Sequence, residues 1–568
     1  MAAAAFVASA IVLFALWSVG SERNKPDAES FVRAQNGHLV KDGTPFRFKS
    51  VSFSNFYYLP FGEADFDPRT SRHHIEKDFI RVRELGFNSV RFAFDGNWFK
   101  ANPNAFWQWL DQNVAWAAKH DVLLTLDLHV PIGSFWLDPT SDRVDFSIWT
   151  DEGIQQENIR LWRLIAERYK NSTAIGGFEL LNEAVTDDAT GDQWRRLASD
   201  LAAAIRQVNQ NHLLIVGALY GTERRYAGLT TESLALIDDA NVMYDFHFYE
   251  PLAFTHQSAS WLESPIEYGG VYPDTSTPVP TGAQVLLPDI SIQSQRVPEG
   301  TTGWARYDSG WVKLDDPSAT AAIPIFVMQD GARGTVHFEN IEVFERDATT
   351  GANRTVMEAR PAGQNIENWW AWGNVTSTSG SNMFKRPHLD GVDDTYSLAI
   401  AGETGDSQYL GWSNDAYWFT VSPGNWYRVT GYMKGMDVSY TDARTGSSAF
   451  IGARLSFFAD PASGDEPGFL FRNVEYLERR FSHLHQFGVE NNVPMSVMEF
   501  GTMGNTITDE RMGGGDWLKD MLHIFEKYET SFSLWNYRSP SMGIYRRGFG
   551  ENVEKPNVAL IEILKQNL

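Results

Sequence analysis

The chain contains no cysteine. Disulfides, thiolate nucleophiles and cysteine-based metal sites are therefore excluded, and the absence suits a bacterial protein more than a disulfide-rich secreted eukaryotic one. Cations are in deficit: 48 Lys and Arg stand against 72 Asp and Glu, a formal net charge of −24. That balance argues against nucleic acid and anionic membrane surfaces as partners, and favours neutral over acidic polymers. There is no Walker loop, no dinucleotide-binding glycine fingerprint followed by an acidic residue and no HExxH zinc motif, so no cofactor is expected. His73 and His74, adjacent on a helical stretch, point in different directions, which favours a surface or core role over a metal site. Asp390, Asp393 and Asp394 could hold a structural calcium but lack the EF-hand pattern.

The N-terminus carries an apolar run from Ala2 to Val19. Its length is at the lower edge of what spans a bilayer, and it reads equally as a signal-peptide core with small residues near Ser18 to Gly20. No Lys or Arg precedes it, so flanking charge gives no orientation. On either reading it directs export, to the periplasm, the extracellular space or a membrane-anchored position outside the cytoplasm.

Two short strings run an apolar β-type segment straight into a glutamate: Phe178-Glu179-Leu180-Leu181-Asn182-Glu183 and Ser496-Val497-Met498-Glu499-Phe500-Gly501. Further apolar runs end in polar or aromatic groups. Asn88 to Phe94 contains Arg91, Val122 to Leu128 leads into His129, Val242 to Phe248 contains His247 and leads into Tyr249, and Ser531 to Leu534 leads into Trp535. Phe46 to Phe53 and Leu213 to Gly217 supply two more strands. Segments of helical spacing lie between: His73 to Leu85, Ala105 to Lys119, Gln155 to Tyr169, Gln193 to Val208, Val474 to Phe487, Asp516 to Tyr528 and Asn557 to Lys565. The fifth helix has only Glu232 to Asp238 to draw on. Strands alternating with helices predict an α/β fold, a closed (β/α)8 TIM barrel, whose catalytic groups sit at the C-terminal ends of the parallel strands. Two glutamates facing one another across such a mouth can act as acid/base and nucleophile in glycoside hydrolysis.

As an ordered set, Arg91 in SVRFAF, His129 in LDLHVP, Asn182-Glu183 in FELLNEA, His247 and Tyr249 in DFHFYEP, Glu499 in VMEFG and Trp535 in SLWNY resemble glycoside hydrolase family 5, the cellulase-like family of clan A. The resemblance covers roughly Phe31 to Tyr272 and Phe469 to Leu568. Proline often follows the acid/base glutamate in that family, whereas Ala184 does so here. The resemblance implies a retaining β-glycosidase with Glu183 as acid/base and Glu499 as nucleophile. It also implies Arg91 and Tyr249 beside the nucleophile, Asn182 on the sugar 2-hydroxyl, His129 and His247 as hydrogen-bonding residues of the catalytic subsite, and Trp535 as its apolar floor. The substrate implied is a neutral β-glucan cleaved in endo fashion, since Phe254 to Gln257 and Trp261 resemble cellulase-like members. The alternatives are an exo-β-1,3-glucanase or transglycosylase of the same family, or a non-catalytic polysaccharide binder, for which the intact glutamate pair has no use.

Glu183 and Glu499 stand on the order of 300 residues apart, whereas a whole barrel needs about 250. Something the size of a domain is inserted between strands six and seven. The stretch 273–467 fits, being a succession of short β-type runs such as Ile323 to Met328, Gly334 to Glu345, Trp426 to Met433 and Ala449 to Phe458, broken by Gly, Pro, Asp and Ser. That rhythm predicts an all-β sandwich of jelly-roll type, resembling a carbohydrate-binding module. The predicted organisation is 1–30 as signal or anchor and linker, 31–272 as the first part of the barrel, 273–467 as the sandwich and 468–568 as the rest of the barrel. The insert holds Trp304, Trp311, Trp369, Trp370, Trp372, Trp412, Trp418 and Trp426. Trp369, Trp370 and Trp372 are the candidate glycan-binding rings, the alternative being a structural lid whose tryptophans are core.

Overall fold

A computed structural model describes residues 26–55, 74–133, 145–262, 269–359, 369–375, 382–386, 397–414, 417–441, 449–461, 467–546 and 553–568. The N-terminal apolar run, His73 and the three insert aspartates lie outside these residues. Among the described residues no helix is long and apolar enough to cross a membrane.

Eight parallel strands close into a barrel. They are β1 (Lys49–Ser54), β2 (Ser89–Asp95), β3 (Leu123–Val130), β4 (Ile175–Glu179), β5 (Leu213–Gly217), β6 (Val242–His247), β7 (Met495–Phe500) and β8 (Ser531–Leu534). Every residue of β2, β4, β5, β6, β7 and β8 is buried, as strands covered on both faces must be. The longer helices among the described residues are α1 (Glu76–Glu84), α2 (Pro103–Lys119), α3 (Glu152–Tyr169), α4 (Asp192–Arg206), α5 (Val474–Asn491), α6 (Gly514–Lys527) and α7 (Val558–Asn567). Their starts follow from local chemistry. Asn102 accepts from the Ala105 N–H ahead of Pro103 at the first position of α2, and Asp151 accepts from Gly153 and Ile154 ahead of α3, each satisfying orphan backbone donors. Between β5 and β6 the one helical element is the single 3-10 turn Thr231–Ser233, in keeping with the thin helical signal there.

Toward the N-terminal ends of the strands the interior is filled by Phe48, Leu213, Ile215, Met243 and Met498. Gly176 makes room for Phe48, since a Cβ there would meet its ring at 2.6 Å.

Asp274–Tyr476 forms a second compact unit, separate from the barrel. Its first strand, Asp274–Pro280, pairs antiparallel with its last, Phe469–Arg472. That pairing draws the closing strand into the insert and moves its far boundary past residue 467. Two antiparallel sheets make up the rest. One runs in the order Val285–Gln293, Phe450–Ala459, Ala321–Gln329, Tyr409–Ser413, Trp370–Gly373, and the other is centred on Ala332–Arg346 and Trp426–Tyr440. They share one core, in which Phe326 and Phe338 from the two sheets meet at 4.9 Å between ring centroids.

Replacing Phe48, fully buried at the centre of its cluster, by Ala should lower the stability of the barrel by about 3–5 kcal/mol. The shift is measurable in urea unfolding. A change below about 1 kcal/mol would mean that the barrel floor collapses around the deletion.

Candidate active site

The two glutamates arrive by different routes. Glu499 is an interior residue of β7 near its C-terminal end. Glu183 lies past β4, where the chain turns through a left-handed conformation with φ of 32° at Glu183 itself, a region that non-glycine residues rarely enter. The next two residues, Ala184–Val185, form a short parallel strand with Leu219–Thr222, which fixes the backbone on the far side of the turn. Glu183, His247 and Glu499 then converge, with one oxygen or nitrogen of each lying within 4.8 Å of the others. His247 Nδ1 is 2.7 Å from Glu183 Oε1 and 3.6 Å from Glu499 Oε2. These three side chains are close enough to meet on one cation, but a guanidinium already supplies positive charge beside Glu499.

That guanidinium is Arg91, buried completely on β2. Its Nη1 donates to Glu499 Oε1 (2.5 Å), its Nε and Nη2 grip Glu179 at 2.8 and 2.5 Å, and Nη2 also donates to Asn182 Oδ1 (2.8 Å) and lies 3.1 Å from Asp127. Burial opposes its charge, but Asp127, Glu179 and Glu499 outweigh burial and hold its proton well above the usual arginine range. The second oxygen of Glu499 accepts from the Tyr249 hydroxyl at 2.9 Å. Burial first, and Glu499 next, push the Tyr249 phenol well above its ordinary value, so it stays a donor. Glu499 thus meets two donors, one on each of its oxygens.

The surrounding groups have protonation set by burial. His247 and His129 are each lowered to about 4 by loss of solvent and are neutral at neutral pH. Burial also pushes the Asp127 carboxyl up to about 7, and the Asp245 carboxyl well above its ordinary range, with Glu179 adding to the latter. His129 Nδ1 is 2.8 Å from Asp127, and its ring stacks on Trp535 at 5.6 Å and 13°. Trp535 is carried at the end of β8 and packs backbone to backbone against the residue after β7. That residue must be glycine, because a Cβ on Gly501 would meet the Trp535 carbonyl oxygen at 2.4 Å. Asp245 Oδ1 accepts from the Met498 N–H (2.7 Å) and the Ser496 hydroxyl (3.1 Å), pinning the strand that carries Glu499. His256 stands edge-on to Tyr249 at 4.8 Å, while Thr255 Oγ1 donates to the Tyr249 carbonyl at 2.6 Å. Trp261 is 49% exposed.

Arg91, His129, Asn182, Glu183, His247, Tyr249, Glu499 and Trp535 therefore meet at one barrel mouth. Trp369, Trp370 and Trp372 belong to the other unit, and there one expectation is corrected. Trp369 is 1% exposed and packs on Phe326 inside the sandwich, so it is a core residue and no glycan contact. His74 is also core, stacked on Phe53 at 3.7 Å. Three residues of the site escaped the sequence reading: Asp127, Glu179 and Asp245. A signal for two of them existed. Asp127 and Asp245 each precede a site histidine by two positions, and residues two apart on a strand share a face.

The family model for cellulase (glycosyl hydrolase family 5) matches residues 41–304, which takes in β1 to β6 and the start of the insert but not β7 with Glu499. Endoglucanase C of Acetivibrio thermocellus is 31% identical over 217 residues, 37% of this chain and 59% of that one. Cellodextrinase A of Ruminococcus flavefaciens is 32% identical over 192 residues, 33% and 54% respectively. The chain thus spans a little over half the length of these curated relatives. With the closed barrel and the convergent carboxylates, these matches make the chain similar to glycoside hydrolase family 5 over the first six strands of its barrel.

The raised Asp127 carboxyl gives a testable sign. Folded, it holds a proton up to about 7 that the unfolded chain releases near 3.8, so its contribution to stability is full below the lower value and is lost as pH rises toward the upper one. Asp127→Asn removes that titration. Its unfolding free energy relative to the unaltered protein should therefore rise between pH 4 and pH 7 in urea titrations; a difference that stays flat or falls would contradict the assignment.

Proposed function

We propose that the chain is a retaining β-glycosidase that cleaves a neutral β-glucan in endo fashion by double displacement. The observation that carries the reading is the separation of the two carboxylates, whose nearest oxygens lie within 4.8 Å. Retaining enzymes hold the pair at about 5–5.5 Å, whereas inverting enzymes open it to about 6.5–9.5 Å to admit a water. The environments divide the roles. Glu499, anionic between Arg91 and Tyr249, attacks the anomeric carbon. Glu183, whose side chain is 25% exposed against 7% for Glu499, gives its proton to the leaving oxygen as the glycosidic bond breaks. Neutral His247 can accept from the protonated Glu183 through Nδ1 while its Nε2 faces Asp245 at 3.5 Å. In the second step a water gives its proton to Glu183, its oxygen bonds to the anomeric carbon, and Glu499 departs as carboxylate. Asn182, oriented by Arg91, serves the 2-hydroxyl, where hydrogen bonds strengthen toward the transition state. The net charge of −24 favours an uncharged glycan, and the endoglucanase and cellodextrinase relatives support a β-glucan.

Glu499→Ala should lower kcat/KM on β-glucan by at least about 10⁴-fold. Glu183→Ala should keep turnover of aryl cellobiosides whose leaving group needs no proton, and added azide should raise it. Proton NMR of the first product should show retained anomeric configuration. Inversion would overturn the double-displacement reading, and full activity in either variant would overturn the residue assignment.

A further inference from the structure

The insert carries a surface that the barrel chemistry does not use. Trp370–Gly373 is the edge strand of one sandwich sheet and pairs with Tyr409–Ser413. Ala371 lies opposite Trp412, a core residue, so Trp370 and Trp372, one position to either side, lie on the other face of the sheet, where Trp372 is half-buried against an apolar cluster that includes Ile325, Val327 and Phe450 and Trp370 stays open. Opposite Trp372 stands Gly411, where a Cβ would lie 2.3 to 2.7 Å from three carbons of the Trp372 indole. The ring therefore lies across the bare backbone of Gly411, a position that only glycine leaves open. Tyr409 follows on the same face, its ring centroid 5.4 Å from that of Trp372. Trp370 is 46% and Tyr409 40% exposed, unusual for large rings of a folded sheet.

The polar side of this surface is built as well. Gln329 lies directly opposite Tyr409 on the next strand. Its amide is fixed at both ends, with Oε1 accepting from Arg454 Nη1 at 2.7 Å and Nε2 donating to Asp330 at 2.9 Å. Arg454 Nε is buried without a hydrogen-bond partner among the described residues. Asp330 offsets the Arg454 charge, so the surface presents rings and a locked amide, with the Arg454 guanidinium holding that amide from beneath. That combination matches an uncharged sugar chain. The C–H faces of a β-linked pyranose stack on aromatic rings, and its equatorial hydroxyls take fixed donors and acceptors at the edge. Among these residues a charged polymer finds no uncompensated partner.

We propose that Trp370, Trp372 and Tyr409, with Gln329 and Arg454 at their edge, form a binding site for an uncharged β-glucan chain on the insert. The site is made by residues of the insert alone and does not depend on the catalytic reading. Two residues along a strand span about 6.8 Å, so the two tryptophans offer successive platforms to one chain.

The test is affinity electrophoresis of the full chain carrying Glu499→Gln, which leaves the polymer intact, in gels containing hydroxyethylcellulose. The chain should be retarded, and adding Trp372→Ala should weaken the apparent affinity about tenfold, the size expected for loss of an aromatic anchor. Gly411→Val, which displaces the ring while keeping both tryptophans, should reproduce that loss. Trp370→Ala, at an exposed position, should weaken binding with an unchanged melting temperature. No retardation of the Glu499→Gln chain, or unchanged retardation in a folded Trp370→Ala/Trp372→Ala variant, would overturn the proposal. So would retardation by carboxymethylcellulose in place of hydroxyethylcellulose. Hydrolysis of an aryl cellobioside by the unaltered chain reports separately on the barrel, so failure of the catalytic reading leaves this outcome readable.

Discussion

One buried guanidinium organises the barrel mouth. Arg91 on β2 is completely enclosed, and it binds groups from β3, from β4 and the turn beyond it, and from β7: Asp127, Glu179, Asn182 and Glu499. An isolated buried cation is strongly unfavourable, so its partners are obligatory. Conversely, the surrounding carboxyls outnumber it, and they cannot all ionise in a site of low dielectric. The conflict is resolved by position. Glu179 takes the two-pronged contact and Glu499 takes the remaining Nη1, while Asp127 and Asp245 are pushed toward their neutral forms by burial. The same contacts that hold the strands together at this end decide which carboxylates meet the guanidinium directly.

This division makes two chemically identical side chains different. Glu499 meets two donors, on an interior strand position with its backbone held through the Asp245 contacts to Met498 and Ser496. Glu183 sits on a left-handed turn, is more open to solvent, and meets a neutral imidazole. One environment favours a fixed negative charge, and the other a proton that can leave and return. Burial first, with Arg91 adding to it, keeps His247 and His129 uncharged.

Much of this was legible in the sequence because parallel barrel strands are nearly continuous apolar runs, and a polar residue at the end of such a run stands out. His129, His247, Glu499 and Trp535 were visible for that reason, and Arg91, inside its run, was visible as part of the ordered set that made the family resemblance specific. Glu179, Asp127 and Asp245 were overlooked because they lie inside the runs, where one polar residue reads as a satisfied core group. The left-handed turn at Glu183 has no composition signal, since glycine does not mark it. In the insert, periodicity indicated strands but not which face of each was covered. Trp369 and Trp370 are neighbours on opposite faces, one in the core and one in solvent, and sheet pairing rather than sequence decides between them. The far boundary of the insert was misjudged for a similar reason. The strand Phe469–Arg472 pairs with Asp274–Pro280 across the whole length of the insert, a contact invisible to local pattern.

Double displacement with these roles requires that Glu499, and not Glu183, becomes covalently attached to the sugar. Incubation with a 2-deoxy-2-fluoro-β-cellobioside bearing an activated leaving group should trap that intermediate, because fluorine at C2 slows the second displacement more than the activated first one. Peptide mass spectrometry of the inactivated protein should then find one added disaccharide, on the peptide containing Glu499. A label on Glu183, or turnover of the reagent with no covalent adduct and an inverted product, would contradict the assignment of the Arg91-bound carboxylate as the nucleophile.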